Sequence, residues 1–221
     1  MRDSYTSVIF DMDGVLVDSE PLWRRVMIKG FSEAGVPFSD EDCRKTTGQR
    51  FTEVVASWVK HHQLVNVSPS QLENKIIDSL IQLIAIEGKP MTGVLNLLSF
   101  CKEKGLKVGL ATSSSHRLME SVLNKLNVTD LFDVAISAEH MKYGKPHPDV
   151  FINCAQKLGV LPIECLVIED SLNGVIAAKS AQMSVIAVPD QEHSGERGFA
   201  VADYVCDDML EVLVILKTLF S

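Results

Sequence analysis

The feature that most constrains this chain lies near its start. An apolar run, Val8 to Phe10, reads as a buried strand and stops abruptly at Asp11, Met12, Asp13 and Gly14. A buried parallel strand delivers its next residues to the carboxyl edge of a sheet, where open α/β folds bind their ligands. Two carboxylates one residue apart at such an edge repel by roughly 4 kcal/mol at about 4 Å, for an effective dielectric of about 20. A cation between them, or a proton on one, relieves that repulsion. The stretch therefore predicts a metal site, an acid/base pair, or both. Gly14 lets the chain turn tightly just beyond. Taken alone, two such aspartates also suit a turn or a helix cap, so the rest of the chain has to decide.

Length and charge narrow the choice. The 221 residues suffice for one large core, or a core with a small second domain. A net charge of −8 with no basic run argues against nucleic acid as a partner and disfavours anionic membranes. Cys43, Cys101, Cys154, Cys165 and Cys206 are scattered without a C-x-x-C pair. That usage fits reduced thiols in a cytoplasmic chain, with no disulfide framework and no zinc site. Acids interrupt the first twenty or so residues, unlike a signal peptide, and no apolar run reaches the ~18 residues of a membrane span. The default assembly is a monomer.

Residues 21–34, 51–63 and 69–86 read as helices, with no strand pattern between Glu20 and Lys89. Gly88, Pro90 and Gly93 then mark a break, so residues 20–88 are expected as an all-helical insertion. Beyond it helix and strand alternate, with strands over residues 106–111, 134–137, 165–168 and 185–188 and a short edge strand at Tyr204 and Val205. This alternation predicts a doubly wound α/β core with a parallel Rossmann-like sheet, over residues 1–19 and 89–221, bearing a helical cap domain over 20–88. Polar residues collect where the strands end: Asp11 and Asp13, then Thr112 to Ser115, then Lys145 and Pro146, then Glu169 and Asp170. One or two such strand tips could arise by chance; four in this order form a coherent signal.

In these four motifs the chain resembles the haloacid dehalogenase superfamily over nearly its whole length. The helical insertion is similar to that of its β-phosphoglucomutase-like subfamily. The run Asp18, Ser19, Glu20, Pro21, Leu22, Trp23 is similar to bacterial phosphatases of 2-deoxyglucose 6-phosphate and related hexose or hexitol phosphates. The resemblance implies the strand order 5-4-1-2-3 and a small phosphorylated metabolite as substrate. It implies Asp11 as a nucleophile that becomes an aspartyl-phosphate, and Asp13 as the acid and then the base. Mg2+ is the implied cofactor, held by Asp11, the main-chain carbonyl of Asp13 and Asp170, with Glu169 orienting a metal-bound water. Lys145 would neutralise the phosphoryl oxygens, and Thr112 and the Ser113 amide would donate to them. Thr112 equally suits an N-cap, a role compatible with phosphate binding.

The core motifs do not separate hydrolysis from phosphoryl transfer within one sugar. Where the mutases carry a cap histidine this chain has Trp23, whose ring N–H cannot shuttle a proton. Trp23 is expected to stack on a sugar face, close the cap, or serve as a helix core residue. Arg50, in the glycine-led loop from Gly48, is a candidate substrate contact. His147 reads as a loop-stabilising residue, and His61 and His62 as surface residues of a cap helix. The expected activity is a phosphatase; the alternatives are a β-phosphoglucomutase and a non-catalytic regulatory protein.

Overall fold

A computed structural model describes residues 5–46, 48–190 and 193–220. In chain order the first strand, β1 (Ser7–Phe10), is succeeded by four helices: α1 (Glu20–Glu33), α2 (Asp40–Arg44), α3 (Phe51–His61) and α4 (Pro69–Glu87). Then come α5 (Val94–Glu103), β2 (Lys107–Thr112), α6 (His116–Leu126) and β3 (Val134–Ser137). The remainder is α7 (Asp149–Leu158), β4 (Cys165–Glu169), α8 (Leu172–Ser180), β5 (Ser184–Ala187), β6 (Tyr204–Val205) and α9 (Met209–Leu219). The strands form one six-stranded sheet in the order β3-β2-β1-β4-β5-β6, and every pairing is parallel. The order expected from the resemblance is present, with a sixth strand added beyond β5.

The apolar strands are explained by burial on both faces. Val8 and Phe10 of β1, Val108 and Leu110 of β2, and Leu166 and Ile168 of β4 join one core cluster. Ile9, Ala111, Cys165 and Val167, the residues between or beside them, join a second. Alternate side chains of a strand point to opposite faces, so a sheet covered on both sides needs apolar residues at every position. At about 1.5–3 kcal/mol for each large apolar side chain buried, the central strands are a main source of the fold's stability. Among the described residues no helix is long and apolar enough to cross a membrane.

Helix α2 interrupts the stretch expected to hold three helices. Its single turn carries too little periodicity to read, but its start is encoded. Ser39 accepts the Asp42 amide, and the Asp42 carboxylate accepts the Ser39 amide, forming a capping box. The two connections that bracket residues 20–88 run side by side. The Asp18 amide bonds to the Lys89 carbonyl at 3.0 Å, the Met91 amide bonds to the Leu16 carbonyl at 2.9 Å, and Val17 pairs antiparallel with Pro90.

Candidate active site

The sheet register carries the acidic residues to one place. Phe10 is level with Leu110 and Ile168, so the next residue, Asp11, emerges beside Glu169, and its amide bonds to the Ile168 carbonyl at 3.0 Å. Lys145 arrives from the loop after β3. Its Nζ donates to Asp11 Oδ1 at 2.6 Å, to Glu169 Oε1 at 2.6 Å and to the Ala111 carbonyl at 3.1 Å. The Glu169 carboxylate also accepts from the Ser171 amide and hydroxyl through Oε2, and Ser171 caps α8 by accepting the Gly174 amide. Asp170 closes the group. Gly14, at φ +74°, lies so near it that an added Cβ would stand 2.1 Å from Asp170 Oδ2. That turn therefore needs glycine for both its dihedral and its clearance.

Burial and like charge set the electrostatics. Desolvation is the largest influence on Asp11, and with the neighbouring Glu169 and Asp13 it outweighs Lys145, pushing the Asp11 carboxyl up to about 7. Asp170 is raised well above the ordinary carboxylate range by burial first, then by Glu169 and Asp11. Burial draws the Lys145 ammonium down, but Asp11 and Glu169 together outweigh it and keep it protonated. Asp11, Glu169 and Asp170 each offer an oxygen within 4.8 Å of the others. One lysine cannot offset two buried carboxylates and a half-buried third, so the cluster has the oxygen-only donor set and the unmet charge that suit a hard divalent cation such as Mg2+.

The excess negative charge gives a testable stability profile. A carboxyl whose folded pKa exceeds its unfolded value contributes stability that is complete below the unfolded value and is lost as pH rises through the folded one. For Asp11 those values are 3.8 and about 7, and Asp170 shifts in the same direction. In EDTA the thermal midpoint should fall from about pH 6 to about pH 8, and excess Mg2+ should remove most of the fall. A midpoint that is flat or rising over that interval in EDTA would count against an uncompensated buried cluster.

Above this cluster lies a cleft with about 790 Å³ of free space including its open mouth. Asp11, Asp13, Thr112, Ser113, Lys145 and Asp170 form its floor, and Trp23, Met27, Phe51 and Val54 from α1 and α3 form much of its opposite wall. Glu169 stands behind the floor, fully buried. Thr112 is not a helix cap: its hydroxyl oxygen accepts the Ser114 amide at 3.0 Å, and Ser115 occupies the cap position of α6. Its hydroxyl proton is thereby left to serve a ligand.

Arg50 does not join the cleft lining. Its Nη1 donates to the carbonyls of Ala138 and Met141, and Nη2 pairs with Glu53, so the guanidinium ties the start of α3 to the loop that leads to Lys145. Spacing cannot reveal this, because those carbonyl partners lie 88 and 91 positions away. His147 meets Asp149 and the Tyr143 ring, as a loop-stabilising residue would. His62 is not simply a surface residue: it stacks on Trp58 with ring centroids 5.3 Å apart. Two hydroxyls that sequence reasoning does not single out, Ser19 and Ser114, both donate to Asp13. The run of hydroxyl residues after β2 holds the signal for Ser114.

Comparison with known proteins places this geometry among relatives. A sequence model of the family described as haloacid dehalogenase-like hydrolase matches residues 5–182. Hexitol phosphatase B of Escherichia coli K12 is 39% identical over 207 residues, covering 93% of each chain. The crystal structure of CbbY from Rhodobacter sphaeroides in complex with phosphate superposes with a TM-score of 0.86 at 27% identity, covering 94% of this chain and 96% of that one. The fold is also that of β-phosphoglucomutase from Clostridium difficile, with a TM-score of 0.85 at 24% identity over 98% of this chain and 97% of that one.

Proposed function

Because this chain belongs to the haloacid dehalogenase-like hydrolase family, we propose that it is a phosphatase of small sugar or polyol phosphate monoesters, hexose or hexitol phosphates foremost, working through an aspartyl-phosphate with Mg2+. The observation that carries this reading is the convergence of Asp11, Asp13, Lys145 and Asp170 on the floor of one cleft. The substrate class draws support from the name of the hexitol phosphatase relative.

In the first step an Asp11 carboxylate oxygen attacks phosphorus, and the bond from phosphorus to the ester oxygen breaks. Asp13 gives its proton to that oxygen as it leaves. Lys145, already on Asp11, offsets negative charge on the transferring group, and the Thr112 hydroxyl and Ser113 amide donate to its oxygens. Asp13 then takes a proton from water, which attacks phosphorus and releases inorganic phosphate and the Asp11 carboxylate. Asp11, Asp170 and the Asp13 carbonyl would hold Mg2+, with Glu169 behind them; when bound, the ion supplies charge neutralisation for the phosphoryl oxygens. Residues 20–88 act as the cap, turning on the two paired connections to exclude bulk water. The five cysteines, all free and buried, support a reducing, cytoplasmic setting.

A mutase reading asks for a proton-shuttling group at the place of Trp23, where the indole can only donate. The proposal is tested by phosphate release across a panel of phosphorylated metabolites with Mg2+. Turnover of hexose or hexitol phosphates, lost in EDTA and restored by Mg2+, is the expected result. Interconversion of glucose phosphates without net phosphate release would overturn it.

A further inference from the structure

Asp13 is gripped from two elements. Its Oδ1 accepts from Ser19 Oγ at 2.6 Å and from Trp23 Nε1 at 2.9 Å, and its Oδ2 accepts from Ser114 Oγ at 2.7 Å. These donors are not equivalent. A hydroxyl can donate or accept, whereas an indole N–H only donates. Trp23 therefore keeps Oδ1 as an acceptor. Oδ1 takes two donors and Oδ2 one, Ser114, so Oδ2 keeps a position for the proton while still accepting that bond. The indole is itself held. Its ring centroid lies 4.9 Å from that of Phe51, tilted by 55°, and both rings line the cleft. The contact also joins two elements, since Trp23 belongs to α1 while Asp13 lies just after β1.

We infer that Trp23 is a positioning residue for the chemical step, its N–H orienting the Asp13 carboxyl so that Oδ2 faces the leaving oxygen. This rests on the reading of Asp13 as the leaving-group acid. It differs from a sugar-stacking role, which any aromatic ring would preserve.

The test is Trp23→Phe, which keeps an aromatic ring against Phe51 and removes the donor. With Mg2+ present, kcat/KM reports the steps up to release of the first leaving group. It is measured for a hexitol phosphate, for phenyl phosphate and for p-nitrophenyl phosphate. The first two leave as basic oxyanions that need a proton; the nitrophenolate does not. The expected result is a fall of about 10²-fold for the first two and of less than about threefold for the third. Ser19→Ala, which deletes the other donor to Oδ1, should give the same pattern more weakly. An equal fall on all three esters, a fall confined to the hexitol phosphate, or no fall would each overturn the inference. Asp13→Asn separates the two levels: if it shows no selectivity between the esters, the reading of Asp13 as the acid fails, whatever Trp23 does.

Discussion

Asp11→Asn is expected to lower phosphate release by at least about 10⁴-fold while leaving the protein folded. An amide oxygen is a far poorer nucleophile than a carboxylate, and deleting a covalent nucleophile removes a step that no neighbour replaces. The same change should raise stability in EDTA at about pH 8. Ionised Asp11 is disfavoured there by burial and by Glu169, and asparagine carries no charge to bury, while Lys145 keeps its bond to Glu169. Activity is read by phosphate release and stability by thermal unfolding. An Asp11→Asn variant retaining a tenth or so of wild-type turnover would sink the covalent mechanism. One that loses stability at that pH would show Asp11 to be a net stabilising partner of Lys145.

The second large effect is expected at Lys145. It is almost fully buried between Asp11 and Glu169, whose side chains are themselves 10% and 0% exposed. Solvent screening therefore does little to soften its loss. Lys145→Met keeps the apolar stem over the Phe151 ring, which Nζ now approaches to 4.8 Å, but leaves Asp11, Glu169 and Asp170 without their cation. Breaking a buried pair in this way costs about 3–5 kcal/mol. The loss should deepen as pH rises from about 6 to about 8, because the Asp11 carboxyl, raised to about 7 in the fold, ionises over that range. Mg2+ should return part of the stability and little of the turnover, since the transferring group still lacks its lysine. Urea unfolding at both pH values, with EDTA and with Mg2+, checks this. A metal-free variant within about 1 kcal/mol of wild type at the higher pH would show that Lys145 does not hold the cluster together.

The core is legible in the sequence because its strands are buried on both faces. Val8 to Phe10 and Leu166 to Ile168 advertise themselves as unbroken apolar runs, and the polar residues that end them are conspicuous for the same reason. The extra turn of α2 is not legible because five residues hold too little periodicity, although Ser39 and Asp42 mark its start. The ties of Arg50 to the loop before Lys145 are not legible because those partners are main-chain carbonyls. Any residue supplies a carbonyl, so no side-chain pattern near Ala138 or Met141 betrays the contact. Trp23 stands out in the sequence as a departure from the mutases, but its bond to Asp13 depends on how α1 leaves the sheet edge. That angle is a property of packing rather than of local sequence.

The two strands of chain that meet at Val17 and Pro90 have a consequence for how such molecules diversify. Residues bridged in this way stand only about 5 Å apart, so everything between them leaves and re-enters the sheet through a single doorway. A different insert, longer, shorter or of another shape, could be spliced there while the order of the strands and the spacing of the acidic group stay as they are. Such an insert would still have to bring donors to Asp13, as this one does with Ser19 and Trp23.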